Sequence, residues 1–129
     1  MRFIFSGYFL IIFIALVVAF AGYGSLTDLT LRHWWIDRVA HFSGGFWAAL
    51  LLIYLFRHYS ELAPFSGFLT SRILTAIFAI AVAALIGTLW ELFEFSVDNI
   101  GDLADTMEDL FLDLAGGGLA AICGFFYRK

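Results

Sequence analysis

Residues 73–95 read ILTAIFAIAVAALIGTLWELFEF, and the only charges in them, Glu91 and Glu94, fall in the last turn and a half. A hydrocarbon core needs roughly 20 apolar residues per helix, so this stretch reads as a membrane span. Three others join it, at about residues 3–23, 36–56 and 110–127. The segments between them hold the turn and charge signals: Gly22 to Arg32, Arg57 to Arg72 with the only proline (Pro64), and Ser96 to Met107. The expected fold is an all-α, four-transmembrane-helix bundle forming a single domain over residues 1–129.

Composition agrees. Of 129 residues 63% are hydrophobic and 14% charged, well below the charged share of a soluble domain. A soluble domain this short could not hide so much apolar surface. The formal charge of −4 and the lack of a Lys/Arg patch exclude a nucleic-acid partner. Cys123 is the only cysteine, so there is no disulfide framework, and its apolar neighbours mark it as a packing residue. Ala19-Phe20-Ala21 resembles a signal-peptidase site, but the apolar run before it is long for a signal peptide, which favours a retained span.

Arginine and lysine near the span ends give orientation. With the N-terminus inside, Arg2, Arg57, Arg72, Arg128 and Lys129 are cytoplasmic, against Arg32 and Arg38 outside. The bias predicts N-in, C-in topology in a bacterial or archaeal plasma membrane. Trp34 and Trp35 then belong to the outer interfacial belt, Tyr59 and Tyr127 to the inner one. Leu26 to Trp35 reads as a short piece lying along the outer interface.

The acids fall in register with small residues. Asp37 and His41 are four apart and share a face with Gly44, Gly45 and Ala48. Glu91, Glu94 and Asp98 continue, backward, through Gly87, Ala83 and Ala79. Asp105, Asp109 and Asp113 run on into Gly116, Gly117, Ala120 and Gly124. Small residues let membrane helices approach closely, so the acids on the same faces point into the bundle. All three acidic ends lie at the outer side, where they form a polar funnel. Asp113 lies about 12 Å deeper than Asp105, and His41 about 6 Å below Asp37.

Charges at bilayer depth cost at least ~2.5 kcal/mol each. Three remedies exist: a divalent cation, neutralisation by Arg38 and Arg32, or protonation of several acids. Carboxylates with one imidazole suit Mg²⁺, Mn²⁺, Fe²⁺ or Zn²⁺. The candidate ligands are His41, Glu91, Glu94, Asp109, Asp113 and Asp105, with Asp37 as ligand or supporting partner. Asp37, Arg38 and His41 are the candidate catalytic residues: Arg38 to hold a phosphate, Asp37 or His41 as general base. The substrate expected is a membrane lipid or cell-envelope molecule. The rival readings are a cation or proton pathway through the same acids, and a structural polar plug. A homo-oligomer is compatible with any of them. His33 reads as interfacial, His58 and Glu61 as solvated residues of the cytoplasmic loop, Asp28 as a loop or cap residue, and Asp98, Asn99, Gly101 and Asp102 as a turn or helix cap.

Asp37-Arg38-Val39-Ala40-His41-Phe42-Ser43-Gly44-Gly45-Phe46, Trp90-Glu91-Leu92-Phe93-Glu94 and Asp105-Thr106-Met107-Glu108-Asp109 read in order as D-R-x-x-H-F-x-x-G-F, W-E-x-x-E and D-T-x-x-D. This ordered set resembles the YjdF-like family of multi-pass bacterial inner-membrane proteins and, more distantly, the VanZ-like proteins linked to glycopeptide resistance. YjdF-like chains tend to be longer, and Asn99 to Ala104 matches only part of the stretch they carry before D-T. The resemblance implies a shared polar site at Asp37, Arg38, His41, Glu91, Glu94, Asp105 and Asp109. It carries no assigned activity with it.

Overall fold

The computed structural model describes residues 4, 6–27, 33–59, 71–96 and 102–126. Arg2, Asp28, Arg32, Glu61, Pro64, Asp98, Asn99, Gly101, Tyr127, Arg128 and Lys129 lie outside the described residues. Four helices account for nearly all of what is described: α1 (Gly7–Leu26), α2 (Trp35–Tyr59), α3 (Arg72–Ser96) and α4 (Leu103–Phe126). Each is long and apolar enough to cross a membrane. At about 1.5 Å per residue a 25-residue helix such as α2 or α3 exceeds the ~30 Å hydrocarbon core.

Three of the helices match the expected spans to within a few residues. The exception is α4, which begins at Leu103, seven residues before the expected start of the last span. Asp102 accounts for the difference. Its carboxylate accepts a hydrogen bond from the Asp105 backbone N–H at 3.0 Å, an N-cap that satisfies one of the otherwise unpaired donors of the first turn. Asp105 in that turn also suits the positive end of the helix. The last part of the stretch expected as loop, Leu103 to Met107, is therefore helical.

The helices run up, down, up, down. The Trp47 indole donates to the Leu10 carbonyl at 2.9 Å, and Phe20 lies against Trp35, with ring centroids 6.3 Å apart. These contacts set α1 antiparallel to α2. Arg57 near the end of α2 donates to the Gly124 carbonyl near the end of α4, so α2 and α4 are parallel. That guanidinium also satisfies one of the carbonyls a helix C-terminus leaves open.

Helices α2, α3 and α4 pack on one another, and α1 packs against α2. The central contact is backbone on backbone. A Cβ on Gly45 would overlap the Asp113 carbonyl, and one on Gly116 would overlap the Phe42 carbonyl. Only glycine allows α2 and α4 to come this close. Below this crossing the core is small and dry, built from Ala49, Leu50, Ile53, Ala79, Ala83 and Ala120 with Leu10 of α1. The outer faces are the reverse of a soluble protein's: Ile11 is 67% exposed and Phe111 69%. Apolar surface on this scale in a short chain needs lipid as its solvent.

Candidate metal centre

The start of α2, the end of α3 and the first half of α4 meet at one end of the bundle, and the acidic faces meet there. His41 is 5% exposed and sits at their centre. Its Nδ1 lies 3.1 Å from Asp113 Oδ2. Its Nε2 faces Asp109 Oδ2 at 3.8 Å, Glu91 Oε1 at 3.9 Å and Asp37 Oδ1 at 3.9 Å. Helices α2 and α4 each supply a pair four residues apart, Asp37 with His41 and Asp109 with Asp113, because such residues project to the same side, and α3 supplies Glu91.

The distances divide into two kinds. Nδ1 to Asp113 is a hydrogen bond. An ionised Asp113 can only accept, so Nδ1 is the donor there; in the neutral ring Nε2 then keeps its lone pair and can bind a metal. The distances around Nε2 exceed hydrogen-bond length. They are close to the separation of two ligands on one ion, about 3.4 Å for tetrahedral geometry at ~2.1 Å bonds. Glu91 adds a second observation. It is 8% exposed, and its Oε1, the atom facing His41 Nε2, is fully buried with no hydrogen-bond partner among the described residues. A buried carboxylate oxygen without a partner costs several kcal/mol by order of magnitude unless a positive charge compensates it.

Two sets of atoms are close enough to share a cation: Asp37, His41 and Asp109, and His41, Glu91 and Glu94, each with its donor atoms within 4.8 Å of one another. His41 is common to both. Glu94 is half-buried, and its carboxylate is hydrogen-bonded to Trp90 one turn back on α3. Access is uneven. The Asp37 side chain is 37% exposed, against 4% for His41, 9% for Glu91 and 5% for Asp109. A ligand therefore reaches the centre past Asp37.

Of the residues expected at the site, His41, Asp37, Glu91, Glu94 and Asp109 come together. Asp113 joins them through the far nitrogen of His41 and belongs to neither candidate set. Asp105 is half-buried at the start of α4, also in neither set. Arg38 has a different position from the one its sequence suggests. Its guanidinium forms a bidentate pair with Glu108, Nε donating to Oε1 at 2.7 Å and Nη2 to Oε2. Its Nη1 donates to the Trp34 carbonyl at 2.7 Å, and the group lies 4.9 Å from the Trp34 ring centroid. A phosphate at Arg38 would share the guanidinium with Glu108, which takes its bidentate edge. The sequence reading missed Glu108, which stands off the Asp105–Asp109–Asp113 face. A lone acid beside that face carries no spacing signal for a partner 70 residues away.

Residues 2–129 match the model of a family described as predicted membrane protein, DUF2238. The chain belongs to this family. DUF2238 membership agrees with the four membrane-length helices, and the matched range contains every residue of the centre. The DUF2238 description supports a membrane protein family and goes no further; the YjdF-like and VanZ-like likenesses rest on the quoted motifs alone. No curated protein and no solved structure matches the chain.

Proposed function

We propose that this membrane protein binds a divalent cation at the outer end of its bundle, held by His41 Nε2, Glu91 and Glu94, with Asp109 and Asp37 beside them. The observation that carries the reading is Glu91 Oε1: buried, without a hydrogen-bond partner among the described residues, and 3.9 Å from His41 Nε2. A polar plug would leave that atom to an imidazolium at His41, 3.9 Å away and beyond hydrogen-bond length. A bound cation would coordinate it directly, and buried polar groups are rarely left without a close partner. A cation supplies the missing charge to Glu91 and to its neighbours at once. One imidazole with carboxylates suits Mn²⁺, Fe²⁺, Zn²⁺ or Mg²⁺.

The ion faces outward, by the arginine and lysine bias, in a cell membrane. The open flank at Asp37 lies near Trp34 and Trp35, aromatic residues of the interfacial kind, which suits the headgroup of a lipid or of an envelope precursor. There the ion would activate water or polarise an oxygen of the substrate, with Asp37, whose side chain is 37% exposed and which lies outside the His41–Glu91–Glu94 group, as general base. Transport is the weaker reading: among the described residues the other half of the bundle is closed by Ala49, Leu50, Ile53, Ala79, Ala83 and Ala120.

Metal analysis of protein purified in detergent, with thermal unfolding before and after chelation, tests the proposal. The expected result is bound metal and a melting temperature that falls on chelation. Binding contributes about 2.7 kcal/mol at a hundredfold excess over Kd, which a thermal shift detects. Glu91→Gln should lower the metal content. A metal-free protein that does not respond to Mn²⁺, Zn²⁺ or Mg²⁺, and that Glu91→Gln stabilises, would overturn the reading in favour of a plug.

A further inference from the structure

Asp113 is the deepest acid of the cluster along its helix and is 4% exposed, and its carboxylate lies against Gly87 of α3. A Cβ on Gly87 of α3 would overlap Oδ2 and come within 2.8 Å of Cγ and 3.0 Å of Cβ. On the α2 side Gly44 would bring its Cβ only to 3.9 Å from Oδ1, and Gly45 lies against the Asp113 backbone. Gly87 thus leaves room for the carboxylate and Gly45 for the backbone that carries it, and the acid uses that room to reach His41 Nδ1 at 3.1 Å. The other ring nitrogen faces the remaining carboxylates.

Resting on the metal reading above, we infer that Asp113 is a positioning residue and not a ligand, and that Gly87 is present to admit it. A histidine that binds a metal through one nitrogen usually donates the other N–H to a carboxylate, which fixes ring orientation and tautomer and makes the ligand nitrogen more basic. Asp113 stands at that second nitrogen and outside both sets of atoms close enough to share an ion. The sequence alone could not separate this role from that of Asp109, since both lie on one face four residues apart. Gly87 removes no donor when changed, yet an added methyl must push the carboxylate away from His41. Packing alone would make Gly87 equivalent to Gly117, whose added Cβ would meet Ala83 Cβ at 2.5 Å with no acid involved.

Co²⁺ is the probe, titrated into detergent-purified protein and followed by its visible d–d absorption. Asp113→Ala should raise the Co²⁺ Kd by about 10- to 100-fold while the band at saturation keeps its position and intensity, because the coordinating atoms are unchanged. Asp113→Asn, nearly isosteric and still able to accept from Nδ1–H, should lose less. Gly87→Ala should weaken binding as Asp113→Ala does, whereas Gly117→Ala should lower thermal stability and leave the Kd alone. An altered band in the saturated Asp113 variants makes Asp113 a ligand and overturns the inference. So does an unchanged Kd in Asp113→Asn and Asp113→Ala. Either result leaves the metal reading standing, because the wild type still binds Co²⁺. A wild type that binds no Co²⁺ removes both.

Discussion

Asp105 and Asp109 differ by one helical turn and stand in the same sequence pattern, yet only Asp109 has its carboxylate within reach of His41 Nε2, at 3.8 Å. Asp109→Asn should therefore weaken metal binding by at least about tenfold, the lower end of what even an indirect partner contributes. Asp105→Asn should leave stoichiometry and affinity unchanged. Isothermal titration with Mn²⁺ distinguishes the two, and equal losses at both positions would mean that the ion sits nearer the mouth of the funnel. The i, i+4 spacing made the acidic faces legible in the sequence, and it made His41 their one imidazole. Spacing gives a face but not a depth of engagement, so it could not tell that Asp109 reaches Nε2, that Asp113 reaches Nδ1 and that Asp105 reaches neither. Arg38 illustrates the same limit. Its charge and its place beside Asp37 were plain, but its partner Glu108 comes from another helix, and only the packing of α2 on α4 brings them together.

The four helices were legible as elements because apolar runs of this length admit few other structures in lipid, where every backbone group must be paired within the segment. Their ends were less so. The first two turns of α4 hold Asp105, Glu108 and Asp109, and charge reads as loop to a hydropathy count even where a cap and an N-terminal dipole favour helix. The faces that meet were foreseen from the small-residue stripes, and the structure concentrates the tightest contact at Gly45 and Gly116. Gly45→Leu or Gly116→Leu should destabilise the protein by at least about 1–3 kcal/mol, because the obstruction is backbone and cannot rotate away. Ile77→Leu on the lipid-facing side of α3, 55% exposed, should be nearly neutral. Thermal melts in detergent, read together with the elution profile, measure the difference. Equal behaviour of the glycine and isoleucine variants would remove the crossing as the organising contact.

For the whole molecule, up-down-up-down order forces the start of α2, the end of α3 and the start of α4 to one side of the membrane, so the site and the loop between α3 and α4 share a compartment. The arginine and lysine count favours the outer side for that end, and the Arg57 contact to Gly124 puts a cation at the other. Orientation decides what chemistry is available. An outward centre meets envelope molecules and outer-leaflet headgroups, and an inward one meets cytoplasmic metabolites. Cysteine labelling resolves it once Cys123 has been replaced by alanine. Leu103 is the better position at the site end, being 77% exposed, whereas Asp102 caps α4 and its loss would cost about 1 kcal/mol. Leu103→Cys should react with a membrane-impermeant maleimide in intact cells, and Leu62→Cys, between α2 and α3 in the chain, only after lysis. The reverse pattern would set the bundle N-out with the centre in the cytoplasm. The bundle and the His41 geometry would then stand unchanged, while the proposed envelope substrate would not.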